Sequence, residues 1–79
     1  MTKVVLPELG EGIEKALVAC WHVQKGDYVQ PEDDIVELVT DKASFYVSAG
    51  AAGVLREILV PEGQEAKIGE TLALIEHDA

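Results

Sequence analysis

Seven glycines and three prolines divide the apolar residues of this 79-residue chain into short runs. The runs are Lys3–Leu6, Ala16–Trp21, Ile35–Val39, Phe45–Val47, Val54–Val60 and Thr71–Ile75. No window keeps an i, i+3, i+4, i+7 apolar stripe for three turns without a Gly or Pro interrupting it, so long amphipathic helices are excluded. Runs that recur about every 8–12 residues predict a small all-β sandwich or barrel.

The chain also repeats itself. At an offset of 41, Val4, Leu6, Gly12, Ile13, Lys15, Leu17 and Val18 match Phe45, Val47, Gly53, Val54, Arg56, Ile58 and Leu59. At an offset of 37, Gly26, Val29, Asp33, Ile35, Leu38 and Asp41 match Gly63, Ala66, Glu70, Leu72, Ile75 and Asp78. The change of offset places a four-residue deletion in the second half, between Gly53 and Gly63. Two half-domains of about four strands each, related by a pseudo-twofold, follow from this, because neither half could bury its apolar face alone.

The repeat breaks where Lys42 falls opposite Ala79 at the chain end. A two-residue turn at Asp41-Lys42 pairs Thr40 with Ala43, Leu38 with Phe45, Glu37 with Tyr46 and Val36 with Val47. Cross-strand partners share a face. Val36, Leu38, Phe45 and Val47 then form an apolar face, and Glu37, Val39, Ser44 and Tyr46 form the other. A slip of one residue would mix the two sets. Ile35 breaks the alternation, which predicts a bend or bulge near it. This register puts a lysine at an exposed hairpin tip, with the termini at the opposite end.

Composition narrows the function. The net charge is −9, which repels nucleic acid and anionic membrane alike. No apolar run approaches the ~20 residues of a membrane span, and Met1–Leu6 meets Pro7 and acids too soon for a signal peptide. The one cysteine, Cys20, cannot form an internal disulfide, which points to a reducing compartment. About 60% of the chain's surface can be buried at this size, leaving roughly 4,700 Å² exposed and little room for a deep pocket.

No catalytic constellation emerges. Ser44 and Ser48 lack a Gly-x-Ser-x-Gly elbow, and His22 and His77 read as structural or solvated. Gly10-Glu11-Gly12 is acidic and opens no helix, unlike a phosphate loop. Glu32-Asp33-Asp34 lacks the alternating ligands of a calcium loop and reads as a solvated acidic turn, so no metal site is expected. Cys20 reads as a buried structural thiol, and Trp21 and Phe45 as core.

The segment Glu37-Leu38-Val39-Thr40-Asp41-Lys42-Ala43-Ser44 resembles the lipoyl-attachment motif of lipoyl domains in 2-oxo acid dehydrogenase acyltransferases. Leu6-Pro7-Glu8-Leu9-Gly10-Glu11-Gly12-Ile13 resembles that family's opening strand and loop. Trp21 to Val29, Ala52-Gly53-Val54-Leu55 and Gly63-Gln64-Glu65-Ala66 resemble its later segments. The likeness covers essentially the whole chain, so residues 1–79 are taken as one lipoyl domain. It implies a flattened all-β barrel or sandwich of two four-stranded antiparallel sheets with internal pseudo-twofold symmetry, of the lipoyl/biotinyl hammerhead type.

The resemblance also implies a function. Lys42 would carry covalent lipoic acid, with Asp41, Ala43, Thr40 and Ser44 forming the surroundings that a lipoate-attaching enzyme recognises. The loop Glu8, Leu9, Gly10, Glu11 and Gly12 would face a thiamine-diphosphate 2-oxo acid decarboxylase. The swinging arm would serve that enzyme, the dihydrolipoyl acyltransferase core and the flavoprotein dihydrolipoyl dehydrogenase. The domain would be a non-catalytic, monomeric carrier in bacterial cytoplasm, or in the mitochondrial matrix of a eukaryote. Asp-Lys-Ala-Ser leans away from a 2-oxoglutarate complex.

Two departures from the family pattern stand out. Val39 occupies a position where many members carry Glu or Gln. Glu32 replaces a frequent Gly, at the cost of strain if that turn needs positive φ. The alternatives are a biotinyl carrier domain, whose motif flanks its lysine with Met, and an unmodified β-sandwich interaction module. The only Met here is Met1.

Overall fold

The structure, a computed structural model, describes residues 1–77. Eight strands form: β1 (Thr2–Val5), β2 (Lys15–Trp21), β3 (Tyr28–Val29), β4 (Asp34–Val39), β5 (Ser44–Ser48), β6 (Gly53–Ile58), β7 (Glu65–Lys67) and β8 (Thr71–His77). They build two four-stranded sheets, β1-β8-β6-β3 and β5-β4-β2-β7, and every pairing is antiparallel. This is the all-β architecture expected. No helix forms among the described residues.

One apolar core draws on both sheets, with Val4, Val29, Leu55 and Ile75 from the first and Val18, Leu38, Val47 and Ala66 from the second. The strands alternate buried and exposed residues, as a sheet with one solvated face requires. The accessible surface is 4727 Å², close to the scaling expectation. Trp21 and Phe45 pack against the core from partly buried positions, and the Trp21 indole Nε1 donates to the Val60 carbonyl at 2.9 Å.

The twofold is real, but its register differs from the one read in the sequence. Val18 pairs with Leu38 and Trp21 with Val36 in one sheet; Leu55 pairs with Ile75 and Ile58 with Ala73 in the other. Every residue of the first set lies 37 positions before its counterpart. Turn hydrogen bonds agree, since Gly63 N donates to Val18 O at 2.9 Å and Gly26 N donates to Leu55 O at 2.7 Å. In β1 and β5 the offset is 43, with Val4 opposite Ala73 where Val47 is opposite Val36. The offset of 41 is therefore wrong, as is the deletion placed after Gly53. The length difference lies before it, because residues 6–14 connect β1 to β2 and only 49–52 connect β5 to β6. Matching Val, Leu and Gly by type let the alignment slide, whereas hydrogen-bond register does not. The match of Lys42 with Ala79 lies outside the described residues.

Bulges repeat as well. The register shift between Asp34 and Val36 against β5 has a twin between Thr71 and Ala73 against β1. Each shift lets two consecutive residues face inward, Ile35 with Val36 and Leu72 with Ala73, all fully buried. The break in alternation at Ile35 is thus the expected bulge. Glu32 carries no strain, since no non-glycine residue among those described has positive φ. Its counterpart Gly69 sits at φ +86°. Both turns still close alike, through Asp33 N to Gln30 O at 3.1 Å and Glu70 N to Lys67 O at 2.9 Å. Glu32 and Gly69 reach the same closure by different backbone paths.

Candidate functional site

The β4–β5 hairpin has the register read from the sequence. Val36 faces Val47, Glu37 faces Tyr46, Leu38 faces Phe45 and Val39 faces Ser44. Thr40 N donates to Ala43 O at 2.9 Å and closes the turn over Asp41 and Lys42. Asp-Lys is a poor turn dipeptide, and the Thr40 side chain compensates. Its Oγ1 accepts from Lys42 N at 3.2 Å and from Ala43 N at 3.1 Å, and donates to Ala43 O at 3.1 Å. A hydroxyl that holds its own turn in this way restricts the tip locally. Asp41, Lys42, Ala43 and Ser44 are exposed.

The longer loop, residues 6–14, approaches this tip. A Cβ placed on Gly12 would lie 3.7 Å from the Lys42 Nζ. Ile13 N donates to Gly10 O at 3.2 Å, which curls the loop beside the lysine. Glu8, Gly10, Glu11 and Gly12 are exposed, and Leu9 anchors the loop against the core. The C-terminal part of the loop thus comes to the tip, where Gly12 and Ile13 line one surface with Thr40 and Asp41. β1 starts opposite Ile75 and runs toward Thr71, and Gly53 pairs with His77. The start of β1 and the end of β8 therefore lie away from the lysine.

Sequence reasoning missed a shallow groove beside the tip, about 470 Å³ in volume. Its floor includes Ala16, Leu17 and Val39, and Glu14, Asp41 and Glu65 stand around it. Leu17 and Val39 are cross-strand partners on the outer face. Outward apolar residues at matched positions on neighbouring strands were the available signal. Lys15 pairs with Glu65 at 3.6 Å, but both are well exposed, and such a pair stabilises by at most about 1 kcal/mol.

The structure corrects one reading among the remaining polar residues, the burial of Cys20. His22 is exposed, and His77 contacts Thr2, ring nitrogen to hydroxyl. Cys20 is half-buried rather than buried and donates to Glu37 Oε1 at 3.7 Å. Desolvation raises its thiol pKa, helped by the Glu37 charge.

Comparison with known proteins agrees with this geometry. Residues 2–75 match the biotin/lipoyl family described as "Biotin-requiring enzyme". The chain is 37% identical over its full length to the succinyltransferase component of the Bacillus subtilis 2-oxoglutarate dehydrogenase complex, of which it covers 19%. It is 34% identical over 94% of its length to the lipoamide acyltransferase of the branched-chain complex from the same organism, covering 18% of it. The matching acetyltransferase component of the Staphylococcus epidermidis pyruvate dehydrogenase complex is 31% identical over 90% of the chain, which covers 16% of it. The chain thus spans about a fifth of the length of these relatives. Relatives from 2-oxoglutarate complexes are prominent among them, so the lean of Asp-Lys-Ala-Ser away from that substrate finds no support. The solution structure of the lipoyl domain of the Azotobacter vinelandii 2-oxoglutarate dehydrogenase complex superposes with a TM-score of 0.80, at 33% identity and with 100% of both chains covered. The chain belongs to the biotin/lipoyl attachment family, as a lipoyl domain of the kind carried by acyltransferase components of 2-oxo acid dehydrogenase complexes, a carrier module that is non-catalytic on its own.

Proposed function

We propose that Lys42 is the attachment point for lipoic acid and that the domain works as a swinging-arm carrier. The observation that carries this reading is the placement of one lysine at the apex of a hydroxyl-braced turn, away from the start of β1 and the end of β8. Acylation of its amine forms an amide and removes one positive charge, taking the formal charge from the −9 of the sequence to about −10. The attached dithiolane supplies the acyl- and electron-carrying chemistry. The protein's residues supply position. Thr40 fixes the turn that presents Lys42, while Asp41, Ala43 and Ser44 form the exposed surface that an attaching enzyme meets. Glu8, Leu9, Gly10, Glu11 and Gly12 form a second surface beside the lysine, suited to reading by the decarboxylase. Tethering keeps the arm at high effective concentration near successive active sites, which we assign to the decarboxylase, the acyltransferase core and the flavoprotein dehydrogenase. The acidic surface favours encounters with basic patches on those partners. A reducing compartment, bacterial cytoplasm or mitochondrial matrix, suits the free Cys20.

The test is treatment with a lipoate ligase, lipoic acid and ATP, followed by intact mass of wild type and Lys42→Ala. One lipoyl addition on wild type and none on the variant is expected. Addition of biotin by a biotin ligase, with no lipoyl addition, would transfer the site to the biotinyl branch of the family. If neither group adds, the domain is an unmodified interaction module.

A further inference from the structure

The outer face of the second sheet, away from the lysine, brings together three side chains of metal-binding type. A bulge in β2 is responsible. Val18 pairs with Leu38 but Cys20, not Ala19, pairs with Glu37. The extra residue turns Cys20 outward onto Glu37, and His22, two positions further on, reaches the same spot. Cys20 Sγ lies 3.7 Å from Glu37 Oε1, His22 Nε2 lies 3.9 Å from the same oxygen, and the three ligand atoms all lie within 4.8 Å of one another. The imidazole is seated against the Tyr46 ring with centroids 5.9 Å apart, and its backbone N is held by Ile35 O at 2.8 Å.

We propose that Cys20, His22 and Glu37 form a three-ligand site for a thiophilic divalent cation of the zinc class, with a fourth position open to water. One sulfur, one imidazole nitrogen and one carboxylate suit zinc rather than calcium or magnesium, which take oxygen ligands. Tetrahedral zinc at its usual bond lengths sets ligand atoms about 3.3–3.6 Å apart. The sulfur–oxygen and nitrogen–oxygen separations exceed that by a few tenths of an ångström, and the sulfur–nitrogen separation, within 4.8 Å, by at most about 1.5 Å, so the exposed imidazole rotates inward to close the site. On binding, the Cys20 S–H bond breaks, a sulfur–metal bond forms and the proton leaves to the buffer. Without a cation the surroundings oppose that ionisation, since burial, Glu37 and the charge of Glu62 all hold the proton on sulfur. A dication reverses the balance. The fold does not require this set of residues. The matching bulge in β6 places Glu57, Leu74 and Leu59 at the positions of Cys20, Glu37 and His22.

The test uses the Lys42→Ala chain, which offers no dithiol, so its outcome is independent of lipoylation. The chain is reduced with a non-thiol reductant and titrated calorimetrically with zinc, then with cobalt(II) as a spectroscopic probe. One equivalent of zinc is expected, and cobalt should give thiolate-to-metal absorption with the intense visible bands of four-coordination. Cys20→Ser should abolish that absorption and weaken zinc binding by at least about tenfold, with the fold checked by circular dichroism. His22→Gln, at an exposed side chain, should weaken binding as well, and serves if the serine variant does not fold. Absence of a saturable 1:1 complex, or cobalt bound without thiolate absorption, overturns the site and leaves only diffuse association with acidic surface.

Discussion

The two ends of this domain are related by one pseudo-twofold, and they have diverged. At one end β4 turns into β5 through Thr40–Ala43, and a nine-residue connection, 6–14, approaches the turn. At the other end the equivalent of the turn is interrupted, because β8 ends at His77 and β1 begins at Thr2. There the connection corresponding to 6–14 is four residues, 49–52. The strands, bulges and core positions between the two ends are shared. The halves are thus alike where they build the core and different where the lysine is presented.

Core truncations should have the largest effect on stability and should respect the twofold. Leu38 and Ile75 are equivalent, and both are fully buried. Leu38→Ala and Ile75→Ala should each cost about 2–5 kcal/mol, read by urea denaturation. Costs differing several-fold would break the equivalence. The next effect should separate the halves. Gly53 occupies the position that Ala16 occupies in the other sheet, and a Cβ on Gly53 would lie 2.1 Å from the Glu76 carbonyl oxygen. Gly53→Ala should cost about 3 kcal/mol, lowering Tm by more than about 10 °C. Ala16→Gly should cost only about 1 kcal/mol.

Smaller effects belong to the hairpin end. Thr40→Ala removes the hydroxyl that meets Lys42 N and Ala43 N. It should cost about 1 kcal/mol and slow lipoylation, with Thr40→Ser restoring both. An unchanged rate would mean that the ligase orders the turn itself. Lys42→Ala should shift stability by no more than about 0.5 kcal/mol, because the side chain is exposed. A larger loss would show that Lys42 braces the loop at Gly12.

Much of this was legible in the sequence, for reasons that differ by residue. The β4–β5 register could be read because Val36, Leu38, Phe45 and Val47 must share a face, and a slip of one would expose them all. The bulge at Ile35 was visible as a break in that alternation. The register of the repeat was misread because Gly and aliphatic residues recur too often to fix an offset. Hydrogen bonds such as Leu6 N to Glu70 O and its twin Ala49 N to Asp33 O, both 2.9 Å, fix it instead. The groove at Leu17 and Val39 and the grouping of Cys20 with Glu37 were hidden for a related reason. Both depend on which residue of β2 faces β4, and a bulge at Ala19 changes that pairing partway along the strand.

If Lys42 is the attachment point, its presentation on the braced turn, not mere exposure, selects it. Lys3, Lys15, Lys25 and Lys67 are exposed like Lys42. Peptide mapping by mass spectrometry of the ligase-treated chain tests this directly. A single lipoyl group on Lys42 and none on the other four is the expected result. Lipoyl groups spread over several lysines, or placed on one outside the hairpin, would contradict it.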